Sequence, residues 1–395
     1  MTVSLVQHRG VHKRSKKIQK KKKKSTQLFI TDTVEMKPRV LVLGSFNKSL
    51  PEAKKFLDNF ECIEYTITSE EQLVQDFQTV FKDISGIYAS WLGFALVGGF
   101  RGRILKNAPP SLKVVAICSV GYDRYDTEGM TCKGIALTHV PSDRASLEVA
   151  DYVVYCTYMG FRNFRVHENY FRPRLNHTIG CRLELQNARL DTASGKVHLG
   201  KFDGYAFGHY AAQRPCISPR GHNAVIVGFG RIGQQIGHQL HQLGMNIHYV
   251  KRRQLPENAV SFPASYHSNV LDTKEFADLI VIACPGTPET THLINADVFN
   301  AMNKPLRLIN VGRGIVVDEK ALVVALRSKK VVFAALDVFE NEPSATEELF
   351  ERDDVLLTPH IAASTEDNFD YTAVTAMKNI DQVLLEKIRG TNQVN

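Results

Sequence analysis

Residues 224–243, AVIVGFGRIGQQIGHQLHQL, constrain the fold more than any other stretch of this 395-residue chain. The apolar run 224–227 reads as a buried parallel strand. It stops at Gly228, Phe229, Gly230, Arg231, Ile232 and Gly233, the pattern G-x-G-x-x-G. Behind the glycines, Ile232, Ile236, Leu240 and Leu243 recur at helical spacing. Strand, glycine turn and amphipathic helix therefore arrive in the order that a dinucleotide site requires. Gly228 allows the tight turn, Gly230 lets a pyrophosphate approach the backbone, and Gly233 lets helix and strand pack closely. The phosphates would then sit on the helix N-terminus, where unpaired amides point. Without its flanking strand and helix the same pattern would be an ordinary glycine turn.

One strand later, after residues 245–250, comes the position where an acidic residue would bind a ribose 2′-hydroxyl. Lys251 stands there, followed by Arg252 and Arg253. Cations pair with a 2′-phosphate, so the expected cofactor is NADP(H) in preference to NAD(H); the bland reading is a solvated basic turn.

The rest of the chain alternates apolar strands with helices. Before the glycine turn come strands at 40–43, 63–67, 86–89, 114–118 and 135–138, a helix from Pro51 and a Ser69-capped helix to Phe81. This is α/β organisation without a phosphate-binding fingerprint. A long apolar helix over 147–158 joins it to the second half. Residues 167–221 lack clear periodicity and are expected to be an irregular insertion, an oligomer contact or a cover over the cleft. Beyond 243, strands at 278–283, 306–311, 331–337 and 355–358 alternate with helices from Asn295 and over 318–328, which makes a doubly wound parallel sheet. The last helix, 365–388, has no strand after it and is expected to return to the first domain.

Three polar residues stand just beyond strands of the second half: Arg313 in NVGRG, Glu342 in ENEP and His360 in VLLTPH. Strands that end on one edge of a parallel sheet bring residues distant in sequence to one crevice. A guanidinium there can hold a carboxylate and polarise a carbonyl. An imidazole can give a proton to the carbonyl oxygen as hydride arrives, and a carboxylate beside it favours the imidazolium. Together they describe reduction of a 2-oxo acid. Taken singly, each reads as an ordinary structural residue.

Net charge at first suggests a polyanion partner, because the chain carries a formal +8. Ten of the cations, however, lie within residues 1–31 with no acid among them, which leaves 39 Lys and Arg against 41 Asp and Glu. The folded part is near neutral and gives no nucleic-acid surface. The tail, HKRSKKIQKKKKKSTQ, has too few apolar residues to fold. A nuclear-import role or a loose polyanion contact is open to it; a mitochondrial transit role fits less well, because the run is Lys-rich. Seven singly placed cysteines show no zinc spacing, so no metal is expected and a reducing, cytoplasmic compartment is. No apolar run is long enough to span a membrane.

The motifs SVGYDRYD at 119, GFGRIG at 228, NVGRGIVVDEKAL at 310, ALDVFENEP at 335 and TPHIAAST at 358 resemble those of the D-isomer-specific 2-hydroxyacid dehydrogenases, most closely the glyoxylate and hydroxypyruvate reductase branch. The resemblance covers residues 37–164 and 223–390. It implies two doubly wound parallel-sheet α/β domains, a flavodoxin-like substrate domain (37–150 plus 362–395) and a Rossmann cofactor domain (151–361), behind a tail of residues 1–36. It further implies that Arg313 is the substrate arginine, Glu342 the carboxylate paired with the histidine, and His360 the acid/base. The backbone of Val120 and Gly121 would take the substrate carboxylate; from the segment itself a plain loop is the simpler reading. Cys284, Pro285, Val311 and Gly312 would line the cofactor, and Asp337 would meet its nicotinamide amide. A homodimer is implied as well. Pro285, Gly286 and Thr287 depart from the family's usual Pro-Leu-Thr, and the insertion is longer than usual. A non-enzymatic, cofactor-sensing regulator on the same fold is the rival reading.

Overall fold

Strands buried on both faces need an apolar side chain at every position, and the computed structural model arranges the apolar runs of this chain accordingly. It describes residues 37–172, 177–200 and 209–395. The basic tail, with the disorder, targeting and polyanion roles expected of it, lies outside the described residues.

The first sheet is built from β1 (Arg39–Leu43), β2 (Glu61–Tyr65), β3 (Gly86–Ala89), β4 (Val114–Ile117) and β5 (Ala136–Thr138), all parallel, in the order β2-β1-β3-β4-β5. This is the flavodoxin-like order. Side chains of a strand alternate between faces. Leu41 and Leu43 accordingly pack with Leu73 and Phe77, whereas Val40 and Val42 pack with Phe56 on the opposite side. Helices α1 (Pro51–Asn59), α2 (Glu70–Gln78), α3 (Gly102–Lys106) and α4 (Thr127–Cys132) connect the strands. Ser69 caps α2 through a bond from the Gln72 amide to its hydroxyl, 3.1 Å.

Helix α5 (Asp143–Arg162) starts earlier than its apolar periodicity indicates, because Ser142 accepts from the Ala145 amide at 3.0 Å and carries a polar first turn. Its buried face, Val149, Ala150, Val153 and Cys156, packs with the second sheet.

Residues 167–221, expected to be irregular, contain regular structure. Helices α6 (Phe164–Phe171) and α7 (Thr178–Gln186) accompany two antiparallel pairs, β6 (Arg189–Leu190) with β7 (Val197–His198), and β8 (Tyr210–Ala211) with β9 (Arg214–Pro215). Val166, Cys181, Leu185, Ala188, Val197, Ala211 and Ala212 form their own small core. Strands of two residues leave no readable alternation, which is why the pattern was silent.

The second sheet has seven parallel strands: β10 (Asn223–Val227), β11 (Asn246–Val250), β12 (Ala264–His267), β13 (Leu279–Ile282), β14 (Leu306–Asn310), β15 (Val331–Leu336) and β16 (Val355–Leu357). Their order, β12-β11-β10-β13-β14-β15-β16, is Rossmann order with a seventh strand. Sequence direction reverses between β10 and β13, which opens a crevice beyond their carboxyl ends. Helices α8 (Arg231–Gln242), α9 (Ala296–Ala301) and α10 (Glu319–Arg327) cover the sheet. Strand β12 and helices α3 and α4 escaped the sequence reading, being short or mostly exposed.

Helix α11 (Glu366–Leu384) is capped by Thr365, whose hydroxyl accepts from the Asn368 amide at 3.2 Å. Ala373, Ala376, Met377 and Ile380, spaced along one helix face, pack with Val40, Val42, Val114 and Ala116 of the first sheet. Beyond it Val394 donates to the Leu137 carbonyl and the Asn395 side chain accepts from the Leu137 amide, both at 2.8 Å, so β5 is edged by the last residues. No helix among the described residues is long and apolar enough to cross a membrane.

Candidate active site

All the singled-out residues of the second half follow strands whose carboxyl ends share one edge. Arg313 follows β14, Glu342 follows β15 and His360 follows β16. The His360 Nδ1 lies 3.2 Å from the Glu342 Oε1. The Phe339 amide donates to the same oxygen at 3.3 Å, while Arg124 donates from Nη2 to Oε2 at 3.3 Å. Burial pushes the Glu342 carboxyl up, yet the bond and charge of His360, with the Phe339 amide and Arg124, outweigh it and hold the carboxyl below its ordinary range. With Nδ1 engaged, Nε2 is the His360 atom left to exchange a proton. Trp91 stands edge-on to the imidazole, ring centroids 5.4 Å apart.

His360 occupies the left-handed backbone region, φ +57, which a non-glycine residue enters only when its surroundings hold it. Asp337 does the holding. Its carboxylate, 1% exposed, accepts from the Ile361 amide at 2.8 Å, the Ala362 amide at 2.9 Å and the Thr358 hydroxyl at 2.6 Å. Tyr152 of α5 bonds to the same hydroxyl at 2.7 Å. The residue expected to meet a nicotinamide amide is thus engaged in bracing the histidine turn.

Arg313 donates from Nε to Asp123 at 2.9 Å and from Nη1 to the Gly312 carbonyl at 2.8 Å. Its Nη2 lies against Gly121, where a Cβ would come within 1.7 Å of it, so a side chain at 121 would displace the guanidinium from this position. Val120, beside it, is exposed, and its carbonyl is bonded to His139 at 2.8 Å. Asp123 and Arg124 are neighbours, so the loop after β4 touches both Arg313 and Glu342.

The glycine turn meets the needs of a dinucleotide on its own geometry. Gly228, φ +92, brings its Cα so near the Cys284 backbone that a Cβ would lie 2.6 Å away, and a Cβ on Gly233 would lie 2.1 Å from the Gly228 carbonyl. Gly230, at the start of α8, faces open space with nothing within 4 Å of a built Cβ. That open backbone and the helix N-terminus behind it form a cradle for a pyrophosphate. Phe229 instead is buried and stacks on Tyr249, 4.4 Å between centroids, while Arg231 pairs with Asp143 at 3.2 Å and Ile232 packs on the core. Cys284 is buried, which pushes its thiol up to about 11, and a Cβ on Gly312 would lie 2.7 Å from its carbonyl. Pro285 and Val311 continue the same rim. Lys251, Arg252 and Arg253 follow β11, the strand beside β10, with Val250 in register with Val227. Arg252 and Arg253 are exposed.

The family described as D-isomer specific 2-hydroxyacid dehydrogenase, NAD binding domain, matches residues 188–362. A glyoxylate/hydroxypyruvate reductase of Arabidopsis thaliana is 30% identical over 322 residues, 79% of this chain and 88% of that protein. The chain belongs to the D-isomer-specific 2-hydroxyacid dehydrogenases. Among solved structures, D-mandelate dehydrogenase of Rhodotorula graminis superposes on this dehydrogenase with a TM-score of 0.77 and 26% identity, covering 91% of this chain and 98% of that one. An NADPH-dependent glyoxylate/hydroxypyruvate reductase of Sinorhizobium meliloti, in complex with NADP and malonate, does so with a TM-score of 0.70 and 28% identity, over 91% and 97%. This dehydrogenase is therefore an NAD(P)-dependent oxidoreductase, and the comparisons lend the regulator reading no support. Among the described residues no group of three His, Cys, Asp or Glu could hold a metal ion.

Two residues of the dehydrogenase's site went unnamed by the sequence reading although they lie inside a quoted motif. Asp123 and Arg124 of SVGYDRYD carry charge beside a glycine at a strand end, a usable signal. The turn bonded by Asp337 left none, since backbone amides are invisible in side-chain patterns. Gly286 also gains a reason: a Cβ there would lie 3.0 Å from Ile315 and 3.1 Å from the Arg313 Cβ, so its small size leaves room for the arginine stem.

Proposed function

We propose that this dehydrogenase reduces a small 2-oxo acid of the glyoxylate or hydroxypyruvate kind to the D-2-hydroxy acid, with NADPH preferred over NADH. The observation that carries the reading is the His360–Glu342 pair at 3.2 Å, joined to Arg313 through the adjacent residues Arg124, on Glu342, and Asp123, on Arg313. A bound nicotinamide supplies the hydride. Arg313, with the backbone at Val120 and Gly121, holds the substrate carboxylate through charge-assisted bonds and orients the carbonyl. His360 gives the proton from Nε2 to the carbonyl oxygen as the carbon accepts hydride, and takes it back in the reverse direction. Glu342 stabilises the charged imidazole and fixes its orientation.

Lys251, Arg252 and Arg253, without a carboxylate at that strand end, support the NADPH preference, because a 2′-phosphate needs cations where a 2′-hydroxyl needs an acceptor. A homodimer is part of the same reading, as is a cytoplasmic protein whose basic tail directs any nuclear share. Rates of NADPH and NADH oxidation with glyoxylate, hydroxypyruvate, pyruvate and a branched 2-oxo acid test the proposal. The expected outcome is faster turnover with NADPH and the small acids, and a preference that collapses in Arg252→Asp. Equal use of both cofactors by the unaltered protein refutes the assignment of the basic turn; best turnover with the branched acid refutes the substrate class.

A further inference from the structure

The loop after β4 reaches across the cleft with two consecutive charged residues, and its backbone is built to do so. Gly99, φ +110, lies so close that a Cβ there would come within 1.9 Å of the Arg124 carbonyl and 2.6 Å of its Cβ. The Asp126 amide donates to the Phe100 carbonyl at 3.3 Å, and Phe100 bridges to Tyr125. From that braced position Arg124 sends its guanidinium to the Glu342 Oε2, while His360 occupies Oε1.

We propose that Arg124 is a positioning residue of this dehydrogenase: by sharing Glu342 with His360 it sets the pH range over which the acid/base pair works. The proposal rests on the reading of Glu342 and His360 as that pair. A carboxylate stabilises a proton on the neighbouring imidazole, and a cation on the carboxylate's other oxygen weakens that stabilisation and repels the proton directly. The two groups then titrate as a unit, with a position that depends on every charge around them. The charges that the structure shows there are Arg124 on Glu342, Arg313 paired with the adjacent Asp123, and Asp337 on the amides that follow His360. Glu340 is drawn away by His292, 2.7 Å from it. Of these, Arg124 alone bonds to the far side of Glu342.

Arg124 is also dispensable to the core, with a side chain 46% exposed, so its replacement reads electrostatics more than packing. Reduction needs the protonated pair, and activity falls on the basic limb of the pH profile as that proton is lost. Removing the cation lets the pair keep its proton to higher pH.

The test is the pH dependence of kcat/KM, from pH 5 to 10, for the full chain and for Arg124→Gln, Arg124→Ser, Arg124→Lys and His360→Ala, each with the 2-oxo acid turned over fastest. The Gln and Ser variants are expected to move the basic limb upward by about half a pH unit, the size of one unit charge acting over several ångströms at a partly solvated site. Lys, which keeps the charge, is expected to restore the original limb. Superposition of the Gln and Ser profiles on that of the unaltered enzyme overturns the proposal, even if the rate has dropped, since a purely structural role lowers rate without moving the limb. A limb displaced equally by Lys overturns it too. His360→Ala separates the two layers. A loss of about 10²- to 10⁴-fold upholds the acid/base reading, and near-full activity removes that reading and this proposal with it.

Discussion

At the scale of single residues, the Glu342 carboxyl has the plainest consequence for pH. Its folded value lies below its ordinary one, so it contributes stability that is complete above the unfolded carboxylate range, about pH 4.3, and is lost as pH falls through the depressed folded value. Urea midpoints of the natural protein and of Glu342→Gln, measured from about pH 5 down to about pH 3, are expected to converge as pH falls. A difference that persists unchanged into acid would contradict the pairing. That Glu342 and His360 meet was legible in the chain, because both follow parallel strands that end at one edge. The left-handed backbone of His360 and the three bonds Asp337 makes under it were not, since they depend on how a turn closes. The charges of Asp123 and Arg124 were visible, but their partners, 190 and 218 residues away, were not.

Among the elements, the turn between β10 and α8 separates two roles that the glycine pattern presents as one. Gly228→Ala places a Cβ against the Cys284 backbone in a conformation that L residues avoid, and is expected to lower stability by about 1–3 kcal/mol. Gly230→Ala meets open space at an ordinary φ. It is expected to leave thermal unfolding unchanged while raising the KM for the cofactor, because the new methyl group stands where a phosphate would approach. Thermal melts and cofactor titrations of the two variants check both halves; a Gly230→Ala protein with natural cofactor affinity would remove the cradle. Long strands such as 306–310 and 331–336 were readable as runs because both of their faces are buried. The two-residue strands at 189–190 and 197–198 were not, as so short a segment has no period.

For the molecule as a whole, the two sheets draw on the chain unequally. The seven-stranded sheet takes its layers from one continuous stretch, whereas the five-stranded sheet takes a covering helix from residues 366–384. Ile380→Ala, at a fully buried position on that helix, is expected to cost about 2–5 kcal/mol through the cavity it leaves beneath Val40 and Val114. Urea unfolding followed by far-ultraviolet circular dichroism checks this, and a loss below about 1 kcal/mol would mean that the helix is not a structural layer. The order in which a ribosome releases these parts then matters. Strands β1 to β5 emerge first with α1 on one side of them, yet the rest of that side waits for α11 and the residues that edge β5, which follow more than 220 residues later. In the interval Val114 and Ala116, beside the part that α1 covers, form an uncovered apolar face on a nascent chain, a natural landing place for a chaperone, while the nucleotide-binding half can already close on itself.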